Sequence, residues 1–167
     1  AMLASYLFRA SLTSAGALLT RPKEDFLNTL TMPLSAWPDD LDWNGHVNNG
    51  RVLTLMDQGR LDHVIRTGLL GIMLRARTRP IVAKAEISFR REIFAFKRST
   101  LRTRLDAWDE RRVYYVHQVV RRDEVCAEAR LAIALRAGGK TISAQQMFER
   151  AGAAVDDAFR AAKLATS

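Results

Sequence analysis

The sequence predicts an α+β fold in which an antiparallel sheet wraps around one long helix, and three observations lead to this prediction. Residues 49–68 repeat apolar side chains at helical spacing. Beyond Pro80, four segments alternate apolar and polar side chains with the period of a strand. The charged junctions at residues 109–110 and 122–124 are short enough for hairpins, which join strands that run antiparallel.

The length of 167 residues suits one domain with a shorter segment at each end. We predict a helical arm over residues 1–25, the main domain over residues 26–139 and a C-terminal helix over residues 140–167. The arm is apolar, but Arg9 and several Ser and Thr residues keep it below the roughly 20 apolar residues of a membrane-spanning helix. We therefore favour packing of the arm on the body or across a dimer over peripheral contact with a membrane.

The main domain is expected to start with a strand over residues 26–34, and the long helix follows it. Gly68 and Gly71 are expected to end that helix, because glycine is common at helix C-termini. In the C-terminal segment, Ser143 has a glutamine three residues later, which is the spacing of a capping box. The apolar stripe of the helix that it opens consists of Phe148, Ala151, Val155, Phe159 and Ala162.

Each of the four later strands is predicted to be half-buried, with one apolar face and one polar face. The apolar faces consist of Ile81, Ala83, Ala85, Ile87 and Phe89; Leu101, Thr103, Leu105 and Ala107; Val113, Tyr115, His117 and Val119; and Val125, Ala127, Ala129, Leu131, Ile133 and Leu135.

The composition narrows the class of partner and the compartment. The formal charge of +8 favours an anionic partner, which leaves nucleic acid, a membrane surface and a phosphorylated ligand open. The arginines are dispersed and are not interleaved with exposed aromatic residues, so nucleic acid is not predicted.

Cys126 is the only cysteine, which excludes an intrachain disulfide and makes the reducing cytoplasm the simpler location. Metal-ligand spacings and cofactor fingerprints are absent from the sequence, so neither a metal nor a cofactor is predicted.

The segment from Asp40 to Gly50 reads Asp-Leu-Asp-Trp-Asn-Gly-His-Val-Asn-Asn-Gly and runs directly into the long helix. A carboxylate, a turn with glycine and a helix entrance therefore lie together, and backbone N–H groups there can stabilise developing negative charge. The segment resembles the active-site signature of hotdog-fold thioesterases of the 4-hydroxybenzoyl-CoA thioesterase type, Asp-x-Asp-x-x-Gly-His-(Val/Met)-Asn-Asn-x-x-Tyr. The resemblance runs from about Phe26 to Arg136 and implies a hotdog fold, in which two subunits join their sheets edge to edge and share active sites.

The resemblance also implies catalytic roles. Asp42 stands where the family has the acid that either attacks the thioester carbonyl or activates a water for that attack, and the backbone N–H near Asn49 stands where the thioester oxygen is polarised. Without the surrounding signature, Asp42 would be interpreted as an ordinary turn or helix cap. Asp57 is an acid in an apolar helix, where burial is costly unless the acid is paired or used. It is either a further catalytic acid or the partner of an arginine such as Arg60.

The predicted substrate contacts surround this signature. Gly45, His46 and Asn48 are expected to shape the loop. Val52 replaces the tyrosine of the family, which is expected to enlarge the acyl pocket and to favour longer acyl groups. Phe89, Arg90 and Arg91 are also predicted to contact substrate, and they lie next to Lys97 and Arg98 in sequence. These basic residues either meet the phosphates of coenzyme A or protect a sheet edge.

The resulting hypothesis is an acyl-CoA thioesterase that acts without a cofactor, on a coenzyme A or acyl-carrier-protein thioester, as a homodimer or a dimer of dimers. The alternative is a non-catalytic hotdog protein that binds acyl groups or a protein partner.

Overall fold

In the computed structural model, the described residues are 24–34, 36–94 and 97–153, and they form six strands and three helices. The N-terminal arm and the apolar stripe beyond Ala153 lie outside these ranges. The elements in chain order are β1 (Leu30–Leu34), a short 3-10 turn (Pro38–Asp40), α1 (Asn49–Arg66), α2 (Leu69–Arg75), β2 (Arg79–Phe89), β3 (Ser99–Trp108), β4 (Arg112–Arg121), β5 (Glu124–Ala137), β6 (Lys140–Ile142) and α3 (Ala144–Arg150).

The strands form one antiparallel sheet in the order β1-β3-β4-β5-β2, and β6 pairs with β5. The two predicted hairpins are confirmed. Asp109 closes the first by accepting hydrogen bonds from the backbone N–H groups of Arg111 and Arg112, both at 2.7 Å. Arg122 and Asp123 form the second with φ values of 49° and 63°, and a two-residue loop with two positive φ angles matches the twist of the flanking strands.

Helix α1 lies against the sheet and supplies the centre of the core, which confirms the predicted arrangement. Val52, Leu55 and Met56 are at most 1% exposed. Gly59 faces β3 at very close range, since a Cβ atom there would lie 2.4 Å from Thr103 Oγ1 and 2.6 Å from Leu101 Cδ2. Glycine is therefore what allows the helix backbone to approach the sheet this closely.

Three bulges in the described strand pairings change the faces that were predicted from simple alternation. The pairing of β2 with β5 skips Ala83, so Val82 and not Ile81 shares a face with Ala85. A second bulge between Leu105 and Ala107 turns Ala107 to the outer face and gives its core position to Trp108, which is 2% exposed. The third bulge skips Cys126, so Val125 pairs with Val120 and does not share a face with Ala127. The predicted inward positions of Ile81, Ala107 and Val125 are therefore wrong, because one extra residue reverses the alternation that follows it.

Strand β2 is an edge strand and is exposed along almost its whole length, although alternation predicts a half-buried strand. Ile81, Val82 and Phe89 are 53%, 43% and 44% exposed, and only Ile87 is partly buried. The apolar face of β2 therefore has no cover from the described residues of a single chain.

Several predicted boundaries differ from the observed ones. The first strand starts at Leu30 and not at residue 26, and residues 140–142 form β6 instead of the start of the C-terminal helix. Gly68, with a φ of 76°, ends α1 as predicted, whereas Gly71 lies inside α2. The capping box at Ser143 is confirmed. Helix α3 nevertheless stops at Arg150 and is followed by Gly152 with a φ of 62°, so the predicted stripe is interrupted there.

Within the described ranges, we find no helix that combines the length and the apolar composition needed to cross a membrane.

We predict that Gly59→Ala destabilises the fold by roughly 1–3 kcal/mol, because the new methyl group overlaps buried atoms of β3 that cannot move away. Gly71→Ala is the matched control. Its Cβ would meet only Arg75 Nη1 at 3.6 Å, so helix propensity should stabilise this variant by up to about 1 kcal/mol. Chemical denaturation at one protein concentration measures both. Equal stability of the two variants would contradict the close helix–sheet approach.

Candidate active site

The signature loop closes on the carboxylate of Asp42. Its Oδ1 accepts hydrogen bonds from the backbone N–H groups of Asn44 at 2.9 Å and His46 at 3.2 Å. The backbone N–H of Asp42 donates to the His46 carbonyl at 2.8 Å, and Gly45 supplies the φ of 76° that the turn requires. The other oxygen of Asp42 accepts no hydrogen bond from any described residue, and the side chain is only half-buried. Oδ1 of Asp42 is therefore fixed by hydrogen bonds, and its other carboxylate oxygen is available to react or to bind a water.

Asp40, two residues earlier, is completely buried and ties the loop to the helix. Its Oδ1 accepts from Arg51 Nε at 3.1 Å and Nη2 at 2.8 Å, and its Oδ2 accepts from the Trp37 N–H at 2.8 Å. Its carbonyl also accepts from the Asn48 N–H at 2.8 Å. Removing this carboxylate would leave Arg51 with only the more distant Asp39 carboxylate, whose Oδ2 lies 3.9 Å from Arg51 Nη2.

Helix α1 begins beside the Asp42 turn. Asn48 is the N-cap, and its side-chain oxygen accepts from the Gly50 N–H at 2.8 Å. Asn49 is the first helical residue, its side chain is exposed, and its backbone N–H has no acceptor among the described residues. The helix N-terminus adds a partial positive charge at this point. A backbone N–H donor without an acceptor among the described residues therefore lies at the positive end of the helix, three residues after the turn that holds the Asp42 carboxylate.

The loop is also anchored to the segment that follows β2. The Val47 N–H donates to the Ile93 carbonyl at 2.7 Å. The His46 ring packs edge-on against the Phe94 ring with 4.7 Å between centroids, and His46 Nε2 lies 3.6 Å from a Glu92 carboxylate oxygen. His46 therefore has ordinary structural partners on both sides.

Three substrate contacts were predicted at the end of β2, and two of them have an ion-pair partner within the chain. Arg90 lies 3.8 Å from Glu128, and Arg91 lies 3.1 Å from Glu124. Phe89 is exposed on the β2 edge. These three residues form part of the sheet edge in a single chain, and both arginines already have a carboxylate nearby.

Asp57 lies about 13 Å along the helix from Asn48, at 1.5 Å per residue. It pairs with Arg60, whose Nη2 donates to Asp57 Oδ1 at 2.6 Å. Both residues line a cavity of about 310 Å³ that is otherwise mainly apolar.

The apolar lining of this cavity comes from α1, α2, the sheet and α3: Leu61, Val64, Leu69, Leu70, Met73, Leu74, Pro80, Leu105, Val113, Ile133, Leu135 and Met147. Val52, which we expected to shape the acyl pocket, is fully buried and does not line this cavity.

A buried polar cluster lies between α1 and the centre of the sheet, and no pattern in the sequence predicted it. The Tyr115 hydroxyl lies 3.2 Å from His63 Nδ1, and Thr103 Oγ1 lies 3.0 Å from His117 Nδ1. Burial lowers the pKa of His63 to about 4 and that of His117 to about 3, and it raises the pKa of Tyr115. Both histidines are therefore neutral at neutral pH. Alternation along the strand predicted that Tyr115 and His117 face the core, but it could not predict their polar partners on other elements.

In the described parts of the chain, no three His, Cys, Asp or Glu side chains are grouped so that they could hold a metal ion.

Comparison with known proteins agrees with this geometry. The sequence matches the thioesterase-like superfamily over residues 36–161, which include the Asp42 turn, α1 and most of the sheet. The chain belongs to this superfamily. It is also similar to protein THEM6 of Xenopus laevis, with 31% identity over 113 residues that make up 68% of this chain and 54% of that protein. The chain spans about half the length of the curated relatives it matches.

Solved structures of other proteins share the fold. A probable thioesterase from Bartonella henselae has a TM-score of 0.63 and 20% identity, with 70% of this chain and 98% of that chain covered. A thioesterase from Thermus thermophilus, crystallised with coenzyme A and Zn, has a TM-score of 0.61 and 19% identity, with 77% and 98% covered. These similarities confirm the hotdog fold that the signature implied.

We predict that the fold loses stability as the pH falls from 6.5 toward 5. Because the folded state lowers the pKa of His63 and His117 below 6.5, protons bind preferentially to the unfolded chain in this range. Each histidine should contribute a loss of up to about 1.4 kcal/mol per pH unit. The measurement is the free energy of unfolding at several pH values for wild type and His117→Asn. The variant should show a shallower pH dependence, whatever its stability at pH 7, and an unchanged slope would contradict the neutral buried state of His117.

Proposed function

We propose that this protein hydrolyses acyl-CoA thioesters to a free acid and a thiol, with Asp42 as the catalytic carboxylate. The observation that carries the proposal is the geometry of the Asp42 turn. One carboxylate oxygen is held by two backbone N–H groups, the other is available, and the free N–H of Asn49 lies at the adjoining helix entrance. Membership of the thioesterase-like superfamily supports the same reaction class.

The chemistry needs few groups, because a thioester is already an activated acyl compound. The available oxygen of Asp42 either attacks the carbonyl carbon or removes a proton from the water that attacks it. Negative charge then develops on the carbonyl oxygen, and the Asn49 N–H at the positive end of α1 is suited to stabilise it. Collapse of the intermediate breaks the C–S bond and expels the thiolate. In the water route this gives the free acid directly, and the proton that Asp42 removed from the water passes to the thiolate. In the direct route the acyl group remains on Asp42 as an anhydride, and a water then cleaves it, which releases the free acid, restores the Asp42 carboxylate and supplies the proton for the thiolate.

Asp57 is the second candidate for the acid, and its position at the apolar cavity favours it. Its carboxylate is nevertheless paired with the charged Arg60 at 2.6 Å, whereas the Asp42 carboxylate accepts only neutral backbone N–H groups among the described residues. The ion pair supports an organising role for Asp57. A cavity of about 310 Å³ is large enough to accept an apolar acyl group.

A homodimer follows from the same proposal. The exposed apolar side chains of the β2 edge are what a second copy would cover, and unpaired edges are otherwise prone to uncontrolled association. Two chains that joined their β2 edges would form one continuous sheet. We expect this assembly in the cytoplasm, and pairing of dimers would be a further step.

The decisive kinetic experiment compares Asp42→Asn with wild type in thiol release from a panel of acyl-CoA thioesters. Asparagine keeps the size and the acceptor oxygen but removes the charge, so turnover should fall by at least about 100-fold. Asp57→Asn should lose much less activity. Asp25→Asn is the matched control, because Asp25 likewise accepts a backbone N–H, from Leu27 at 2.8 Å, near the opposite end of α1. It should keep full activity.

Two outcomes would overturn the assignment. If Asp57→Asn is inactive and Asp42→Asn is active, the catalytic acid is the one on the helix. If wild type releases no thiol from any acyl-CoA but binds acyl-CoA, the protein is a non-catalytic hotdog protein that binds acyl groups.

For the assembly, static light scattering at micromolar concentration should return at least twice the chain mass of 18.8 kDa. Val82→Lys places a charge in the exposed β2 edge and should shift the mass toward the monomer. Leu74→Lys alters another exposed apolar side chain, 68% exposed on α2, and should leave the mass unchanged. A monomeric wild type would contradict the shared-sheet dimer.

A further inference from the structure

The connection from α2 to β2 carries positive charge with no acidic residue close to it in sequence. Residues 63–85 contain neither Asp nor Glu, and within them Arg75, Arg77 and Arg79 are all exposed. None of these three arginines lies in an ion pair with a described residue. Leu74, which precedes them, is 68% exposed. We call these four residues the basic turn.

The sheet and α3 add to the positive charge of the basic turn. Arg79 lies directly opposite Arg136 on β5, and like charges at such cross-strand positions destabilise a sheet. Arg75 Nε donates to the Ala151 carbonyl at 3.3 Å, which brings the C-terminus of α3 and the exposed Arg150 to the same surface. Mutual repulsion among these guanidinium groups costs free energy, and an anionic partner would offset that cost.

This surface is separate from the candidate active site. The signature loop is anchored after the end of β2, where the Val47 N–H donates to the Ile93 carbonyl. The basic turn comes immediately before the start of β2 at Arg79. Strand β2 has 11 residues, so roughly 30 Å of strand lies between the two places. The arginines of the basic turn therefore do not belong to the Asp42 turn.

The basic turn borders the opening of the apolar cavity. Leu74 and Pro80 both line the cavity, and both are exposed to solvent. Side chains that are exposed and also form part of a cavity wall mark the place where the cavity opens. Arg75 follows Leu74 directly and Arg79 directly precedes Pro80, so positive charge lies at the rim of this opening. A partner that fits this surface must present negative charge and apolar groups side by side.

We propose that the basic turn is a docking surface for an anionic lipid bilayer. A bilayer offers phosphate headgroups to the arginines and acyl chains to Leu74 and the opening of the cavity. Of the anionic partners that the net charge of +8 allows, nucleic acid would satisfy only the arginines. Docking would turn the opening toward the hydrocarbon, so that an apolar group could enter or leave the cavity without crossing water. This inference goes beyond the proposed function and does not depend on Asp42.

The test measures binding of the full chain to lipid vesicles by cosedimentation. One set of vesicles contains equal parts of phosphatidylglycerol and phosphatidylcholine, and the other contains phosphatidylcholine alone. Wild type should bind the anionic vesicles at least tenfold more tightly, and added salt should weaken that binding because it screens the charges. Arg75→Gln/Arg77→Gln/Arg79→Gln should bind the anionic vesicles roughly 100-fold more weakly than wild type, since each basic residue contributes at an anionic surface.

Two further variants separate binding from folding and charge from apolar contact. Arg77→Gln/Arg79→Gln loses no side-chain hydrogen bond to a described residue and relieves the repulsion from Arg136, so it should fold as wild type does and still bind at least tenfold more weakly. Leu74→Ser leaves every charge in place and should weaken binding about tenfold, because the exposed leucine no longer enters the hydrocarbon. Asp42→Asn should bind vesicles as wild type does, which keeps docking distinct from hydrolysis.

The charge-matched control is Lys97→Gln/Arg98→Gln/Arg122→Gln. These residues are exposed at the other end of the sheet, and they have no ion-pair partner in the described part of the chain. The control has the same net charge as the triple variant of the basic turn and should bind anionic vesicles as wild type does.

Three results would overturn the docking surface. The first is a wild type that does not bind the anionic vesicles. The second is equal weakening in the two triple variants, which would reduce the effect to net charge. The third is binding that is tighter to double-stranded DNA than to vesicles and is unchanged by Leu74→Ser, which would identify a nucleic-acid surface.

Discussion

The buried ion pair between Asp40 and Arg51 is the interaction on which the candidate site depends. The Asp40 carboxylate is completely excluded from solvent, and it accepts hydrogen bonds from Arg51 in the first turn of α1 and from the backbone before the loop. Its carbonyl also accepts the Asn48 N–H. The loop can therefore not move independently of the helix, because either movement would leave a buried charge without its partner. This constraint keeps the Asp42 carboxylate beside the N-terminus of α1.

The helix is itself held by its approach to the sheet. Gly59 brings α1 against Leu101 and Thr103, and Thr103 in turn contacts the buried His117. Packing in this region has little freedom, since protein interiors are close-packed and these side chains have no room to shift. The same rigid helix thus presents its N-terminus at the Asp42 turn and carries Asp57 and Arg60 into the apolar cavity. The fold places two acidic groups on one rigid scaffold, at different distances from the helix entrance.

The sequence predicted the parts of this structure that local patterns determine. The α1 start, the two hairpins and the Ser143 cap follow from side chains that act within a few residues of one another. The bulge at Ala83 was not predicted, because an unbroken alternation of apolar residues does not show where a strand will contain an extra, unpaired residue. The contact of Arg121 with Phe94 depends on strand order, so no spacing along the chain could reveal it. Of the candidate site, the signature predicted Asp42, but only the structure shows that Asp40 and Asp57 are each paired with an arginine, whereas Asp42 accepts backbone N–H groups.

The central claim is that the thioester carbonyl is placed between the available oxygen of Asp42 and the free N–H of Asn49. A crystal structure with a ketone analogue of acyl-CoA, in which a methylene group replaces the thioester sulfur, tests this directly because the analogue cannot be hydrolysed. We predict that the ketone oxygen lies within about 3.2 Å of the Asn49 nitrogen, with the ketone carbon facing the Asp42 carboxylate. A ketone bound beside Asp57 in the apolar cavity, away from the Asp42 turn, would contradict the account.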